Sequence, residues 1–270
     1  MRNLFPGLRA AHASIALLLS LLVVAGDALA QRTPILSPQP LPSDLTPKVL
    51  PGQCGEFVGF YGPIDYRTAH PNDKRLVEYN HWDTEYATFL KGRLSGKNKT
   101  GTGNVSAGFQ YTLKTFPNHP TALLTMERLG TLLGTERPQD AEIPLECWYI
   151  RAFQLTPDDP VVRALYGIYL TNRGRKDEAR HNLDIADKSL QDNANMQYNI
   201  GLMRFKLGQY EQAQINAMRA SNLGFRLDAL EKLLRKSGHW NPQLAPPNDE
   251  EQIPSGDGKN SRLQSETIEQ

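Results

Sequence analysis

The residue types that could hold a metal ion or act in catalysis are concentrated between Tyr61 and His81. Glu78 and His81 are three positions apart, so a helix would place a carboxylate and an imidazole on one face, a spacing found in metal sites. A zincin needs the HExxH pattern, which the sequence does not contain. The aromatic-rich residues 61–67 could bind a ligand. We expect the segment to pack as part of a capping subdomain, and a metal-binding or enzymatic site there is the alternative.

Motifs of the common hydrolases and nucleotide-binding enzymes are absent from the sequence. It has no GxSxG, no Walker pattern and no dinucleotide-binding glycine pattern. We therefore predict a protein that is not an enzyme and has no cofactor. The 270 residues contain 30 Lys and Arg against 29 Asp and Glu. Such a neutral chain has no overall attraction for nucleic acid, and we predict none as a partner.

The first 30 residues have the pattern of a secretory signal peptide. A basic start is followed by an apolar run over residues 14–25 and by Ala-Leu-Ala at 28–30, so cleavage is expected before Gln31. The apolar run is well short of the roughly 20 residues that span a bilayer. We therefore expect a periplasmic or secreted protein that is not inserted in the membrane after cleavage.

Cys54 and Cys147 are the two cysteines of the chain. An even number of cysteines in an exported protein indicates a disulfide, whereas two buried free thiols are the alternative. The CxxC pattern of a redox-active pair is absent. The sequence therefore predicts one structural disulfide between Cys54 and Cys147.

Composition divides the rest of the chain into an informative middle and two polar ends. Residues 31–52 are rich in proline and are predicted to be a linker or an extended arm. Residues 53–107 form the predicted N-terminal cap, which ends in a flexible Gly/Ser/Thr/Asn-rich loop over residues 95–107. Residues 241–270 are polar and contain several prolines, so we predict a disordered tail.

Small residues recur at a fixed interval between these ends. Four pairs are each 34 residues apart: Gly167 and Gly201, Gly174 and Gly208, Ala179 and Ala213, Ala186 and Ala220. A 34-residue helix–turn–helix unit with this pattern resembles the tetratricopeptide repeat (TPR) family. The resemblance implies an all-α solenoid with clear repeats over residues 160–193 and 194–227, degenerate repeat-like helices over 108–159 and a C-terminal capping helix over 228–240.

Local signals for helix ends agree with this period. Asp159 before Pro160 is typical of a helix start, because the carboxylate caps free N–H groups and proline lacks one. Gly174 and Gly208 are suited to end the first helix of each clear repeat. The second helices are predicted over residues 176–190 and 210–223, and Leu227, Leu230, Leu233 and Leu234 are predicted to form the amphipathic face of the closing helix.

The resemblance also implies a binding face on the first helix of each repeat. The residues that match this face are Val161, Ala164, Ile168, Thr171, Asn172, Asn195, Tyr198, Leu202, Phe205 and Lys206. Their apolar and aromatic character favours an apolar or aromatic-anchored segment of a protein or peptide over an acidic peptide. Packing of these side chains inside the superhelix is the alternative. The sequence thus predicts a non-enzymatic exported scaffold for protein–protein interaction, with envelope assembly as the analogous role.

We expect the mature protein to begin at or near Gln31, because the small residues that precede it fit signal peptidase. Mass spectrometry of the protein purified from its native compartment measures this directly. A chain that keeps Met1 in the membrane fraction would contradict the prediction.

Overall fold

The structure, a computed structural model, describes residues 37–49, 51–57, 61–93 and 104–244. Within these ranges the chain forms ten α-helices and no β-strand, which confirms the prediction of an all-α fold. None of these helices is both long and apolar enough to cross a membrane. Four predicted features lie wholly or partly outside the described residues, namely the signal peptide, the start of the proline-rich segment, the flexible loop and the tail.

The described helices follow one another with short connections. They are α1 (Pro71–His81), α2 (Asp83–Leu90), α3 (Val105–Thr115), α4 (Pro120–Leu133), α5 (Leu145–Leu155), α6 (Pro160–Asn172), α7 (Lys176–Ser189), α8 (Ala194–Lys206), α9 (Tyr210–Asn222) and α10 (Ala229–Lys236). A 3-10 turn, Pro51–Cys54, precedes them. Helices α7 and α9 each end one residue before the position that the sequence predicts.

Three of these helices begin with a side-chain acceptor followed by proline. The Asp159 carboxylate accepts two backbone N–H groups of α6, at 2.9 and 3.3 Å. At the start of α4, His119 Nδ1 accepts the N–H of Ala122 at 3.1 Å, and His70 does the same at the start of α1. Each cap satisfies N–H groups that the first helical turn leaves unpaired. Only the Asp159 cap was predicted, because histidine is not among the residues that commonly indicate a helix start.

The two clear 34-residue units form the helical pairs α6–α7 and α8–α9, which have the most extensive contacts between helices. Gly174 and Gly208 follow the first helix of each pair at φ values of 70° and 77°, the left-handed region that glycine enters without strain. A Cβ atom on Gly167 would lie 2.7 Å from Leu183 Cδ2. The recurring small residues therefore correspond to sharp helix ends and to close contacts between helices.

The predicted disulfide is present. The Cys54 and Cys147 sulfurs are bonded and their Cα atoms are 4.9 Å apart. Both cysteines are buried in the main core. The bond joins the 3-10 turn Pro51–Cys54 to helix α5, and the two cysteines are 93 positions apart in the sequence.

The described part of the proline-rich segment, residues 37–49, is an arm that packs on α5, α6 and α7. Its Leu41, Leu45 and Val49 side chains contact the main core. The Asp44 carboxylate lies 2.6 Å from Arg163 Nη1 and 2.8 Å from His181 Nε2. Of the two predictions for this stretch, the docked contacts favour an extended arm over a free linker.

Helix α10 covers the last pair through fewer residues than expected. Leu230 and Leu234 are fully buried against Tyr198, Ala213 and Ala220. Leu227 and Leu233 are exposed, at 64% and 41%, so the prediction that they share the buried face is wrong. The reason is geometric: Leu227 precedes the helix, and Leu233 lies about 100° around the helix from Leu234, at the edge of the buried face.

We expect Gly201→Leu to destabilise the protein by about 1–3 kcal/mol, because even a Cβ atom there would lie 2.6 Å from Leu230 Cδ2 and 3.0 Å from Asn216 Cβ. Urea unfolding measures the change. The matched control Ala229→Leu adds the same side chain at an exposed position of α10 and should leave stability nearly unchanged. Equal stability of the two variants would show that the close approach at Gly201 is not needed.

Candidate functional site

The face that the sequence predicts for binding is formed by α4, α6 and α8, of which α6 contacts both others. Three of the predicted contact residues are not accessible on it: Ala164, Ile168 and Tyr198 are buried, at 0%, 5% and 8% exposure. Ala164 and Ile168 belong to the main core, and Tyr198 packs on Phe225 with ring centroids 4.6 Å apart. Neighbouring helices approach so closely that these side chains are covered, so they are core residues and we do not retain them as contacts.

The other predicted residues lie at or near the surface of this face: Val161, Thr171, Asn172, Asn195, Leu202, Phe205 and Lys206. Two of them are joined in a polar ladder across the three helices. Asn172 Nδ2 donates to Glu127 Oε1 at 3.0 Å, and Lys206 Nζ donates to Asn172 Oδ1 at 3.3 Å. The ladder places the Asn172 amide on α6 between a carboxylate on α4 and an ammonium on α8.

Glu127 is the buried end of the ladder, with only 2% of its surface exposed. Its carboxylate also accepts a hydrogen bond from Thr131 Oγ1 at 2.8 Å and lies 3.3 Å from Arg173 Nη1. Arg173 in turn pairs with Glu136. Although burial works against the guanidinium charge, the hydrogen bond and charge of Glu136, with the charge of Glu127, raise the pKa of Arg173. The two carboxylates therefore favour the charged form of Arg173.

Sequence analysis missed Glu127, Glu136 and Arg173. The first two lie in the degenerate region before residue 160, where no repeat register identifies a face. Arg173 lies in the turn after α6, outside the helix that the repeat pattern describes. The pairing of Glu127 and Glu136 with Arg173 could therefore not be predicted from residue spacing.

The apolar part of this face is formed by Leu202 and Phe205 on α8. Leu202 is half-buried and contacts both the main core and the smaller core in which α10 packs on Tyr198, Ala213 and Ala220. Phe205 is half-buried and meets Tyr210 edge-on, with ring centroids 5.4 Å apart. Together with Lys206 they present apolar surface next to a cation.

Two predicted polar residues are engaged locally. Thr171 Oγ1 donates to the Gly167 carbonyl at 2.8 Å within α6. Asn195 accepts hydrogen bonds from Asn199 Nδ2 at 2.9 and 2.6 Å, one turn further along α8. Their remaining hydrogen-bonding groups could meet a partner only at the edge of the face.

The alternative site between Tyr61 and His81 is not arranged as a metal-ligand pair. Glu78 Oε1 accepts a hydrogen bond from Tyr66 Oη at 2.7 Å, whereas the His81 ring stacks on Tyr111 at 3.6 Å between centroids. Among the described residues, no group of three or more His, Cys, Asp or Glu side chains is placed to hold a metal ion. Glu78 and His81 share a helix but contact different neighbours.

Residues 65–67 instead fasten the N-terminal helices to α6. Asn118 Oδ1 accepts the N–H of Tyr66 at 2.8 Å, and its Nδ2 donates to the carboxylates of Asp65 and Asp159 at 2.7 and 3.1 Å. Arg67 pairs with Asp65 at 2.8 Å. Partial burial works against the Asp65 charge, but the hydrogen bonds from Arg67 and Asn118 lower the pKa of Asp65.

His119 lies buried beneath this turn. Its Nδ1 accepts the backbone N–H of Ala122, so the neutral ring carries its proton on Nε2. Nε2 lies 3.4 Å from Glu78 Oε1 but without the alignment of a hydrogen bond. Burial, acting against the attraction of Glu78, lowers the pKa of His119 to about 4.

Comparison with known proteins assigns no family to the chain. No family model matches it, and no curated protein matches it. Its function is therefore inferred from the contacts, burial and charges of the described residues.

We expect the protein to lose stability as the pH falls below about 6.5, the pKa of histidine in an unfolded chain. The unfolded chain then binds a proton at position 119, whereas folded His119 stays neutral until about pH 4. Between pH 7 and pH 5 this residue should account for about 2 kcal/mol of lost stability.

The matched control is His119→Asn, which keeps a side-chain acceptor for the Ala122 N–H but does not titrate. Urea unfolding at pH 7 and pH 5 should show a smaller loss for the variant than for the wild type. Parallel loss in both proteins would show that His119 is not the group responsible.

Proposed function

We propose that the protein is an exported, non-enzymatic scaffold of the tetratricopeptide-repeat type, which binds a protein or peptide on the face of α4, α6 and α8. The observation that carries this proposal is the ladder from Glu127 through Asn172 to Lys206, together with the adjacent apolar surface of Leu202 and Phe205. This combination offers both polar contacts and an apolar anchor point to one ligand.

The ladder favours a segment that lies across several helices over a small molecule. Its members come from three consecutive first helices, so a ligand that contacts all of them must span the helices. Lys206 is exposed and can pair with an acidic group, and Phe205 can contact an apolar side chain beside it. A partner segment with an apolar residue next to an acidic residue or a free carbonyl fits this surface.

The repeat assignment is supported by the two helical pairs with equal spacing. Their glycines at the turns and at the crossings match the 34-residue pattern, and α10 buries the end of the second pair. The N-terminal helices α1 and α2 act as the opposite cap, since α1 and α2 both pack against α3. Such ends keep a solenoid from exposing apolar surface at its termini.

Export is supported by the sequence of residues 1–30 and by the disulfide. The Cys54–Cys147 bond is compatible with an oxidising compartment such as the periplasm or the extracellular space. A scaffold there would serve the assembly of envelope components by analogy with other exported repeat proteins.

The double variant Phe205→Ala/Lys206→Ala tests the face. Pull-down from an envelope extract with the mature full-length chain should recover the partner at least about fivefold less well with this variant, because an anchor residue contributes more than about 1 kcal/mol. The melting temperature should change little, since neither side chain is fully buried.

The matched control is Leu227→Ala/Lys232→Ala, which removes an exposed leucine and an exposed lysine near α10. It should recover the partner as the wild type does. Equal recovery by the wild type and both double variants would show that partners bind elsewhere. Partner loss in the control alone would move the site to the C-terminal helix.

A further inference from the structure

A cleft of about 410 Å³ opens beside the disulfide and separate from the face described above. It is formed by the turn after Cys54, by α3 and by α5. Its lining includes Tyr61, Tyr111, Lys114, Ile143, Trp148 and Arg151. The volume lies in the range of sites for small ligands.

Arg151 forms part of the cleft and is only 3% exposed. Its terminal nitrogens donate to the carbonyls of Glu56 and Phe57, the latter at 2.9 Å, and its Nε has no hydrogen-bond partner. Among the described residues, no carboxylate lies within ion-pair distance of this guanidinium. Burial lowers the pKa of Arg151 despite the attraction of the more distant Glu142, so the position favours an additional anion.

Trp148 lies one helical turn before Arg151 on the same face of α5 and lines the same cleft. The indole is 1% exposed, and its Nε1–H has no hydrogen-bond partner. Buried donors without acceptors are rare in folded proteins. The Trp148 Nε1–H and the Arg151 Nε–H are two such donors in residues that line one cavity. A ligand with two acceptor atoms would satisfy both.

The rest of the lining selects against a highly charged ligand. Lys114 Nζ is paired with the Glu142 carboxylate at 2.6 Å, whereas Arg151 has no described carboxylate within ion-pair distance and is attracted by Glu142 only from further away. Glu56 and Glu142 both line the cleft and would repel a dianion such as phosphate more strongly than a monoanion. Tyr61, Tyr111 and Ile143 supply apolar surface for the body of a ligand.

We propose that this cleft binds a small organic monocarboxylate with an aromatic or alkyl body. The carboxylate accepts the N–H groups of Trp148 and Arg151 and neutralises the guanidinium, while the body packs between the tyrosines. Phosphate lacks an apolar body and carries an additional charge, so the lining does not suit it. This site is independent of the partner-binding face and does not rest on the proposed scaffold function.

The test uses phenylacetate, its neutral isostere phenylacetamide and inorganic phosphate with the mature, disulfide-bonded chain. The chain has three tryptophans, so the indole N–H resonance of Trp148 is assigned by its loss in Trp148→Phe. Phenylacetate should shift this resonance to saturation, and phenylacetamide should bind at least about tenfold more weakly because it lacks the charge. Equal binding of the amide, no shift with phenylacetate, or an equal shift with phosphate would overturn the proposal.

Trp148→Phe also tests the donor, with calorimetry as the readout. It removes the indole N–H but keeps an aromatic side chain of smaller size, so phenylacetate should bind about fivefold to tenfold more weakly. The matched control is Trp240→Phe, which makes the same change at the half-buried tryptophan over Arg235 near the C-terminal helix. It should bind phenylacetate as the wild type does. Equal affinity in all three proteins would overturn the role of Trp148, and the amide comparison in the wild type decides the proposal if Trp148→Phe does not fold.

Discussion

The buried carboxylate of Glu146 on α5 contacts three other parts of the chain: the arm, α6 and the residue before α7. One oxygen accepts hydrogen bonds from the Tyr166 hydroxyl at 2.7 Å and from Arg175, and the other accepts the backbone N–H groups of Lys48 and Val49 at 3.0 and 3.3 Å. A charge with 2% exposure is tolerated only when it is paired and hydrogen-bonded, as here. The arm, α5, α6 and α7 therefore depend on one group, since loss of Arg175 would leave that charge unpaired.

A second polar network plays the same part between α7 and the pair α8–α9. Asp187 accepts hydrogen bonds from Gln197 and Asn216 at 2.8 and 2.9 Å and pairs with Arg204 at 3.1 Å. Gln197 and Asn216 are fully buried. Apolar contacts alone would allow neighbouring helices to slide, whereas each of these polar groups has acceptable partners in one register only. Burial holds the helices together, and the networks fix how they are aligned.

The parts of the fold that sequence analysis predicted are those with local causes. The glycine after α6 and the cap at Asp159 act within one turn of helix, so local signals gave the start of α6 and, to within one residue, the bounds of α7 and α9. The docking of the arm could not be predicted, because it joins Asp44 to Arg163 and Thr46 to Arg175 across more than a hundred residues. Which residues of the predicted face are exposed could not be predicted from the helix pattern, since burial of Tyr198 depends on Phe225, beyond the helix itself.

Helix α5 combines these long-range constraints within six residues. Glu146 holds the arm, Cys147 holds the turn after Cys54, and Trp148 and Arg151 line the cleft. Because Arg151 also binds the carbonyls of Glu56 and Phe57, that wall of the cleft is fixed twice, once by the disulfide and once by the guanidinium. A ligand that enters such a prearranged site loses little free energy in ordering it. The same two restraints hold the Arg151 guanidinium at a position where no carboxylate of the described residues lies within ion-pair distance.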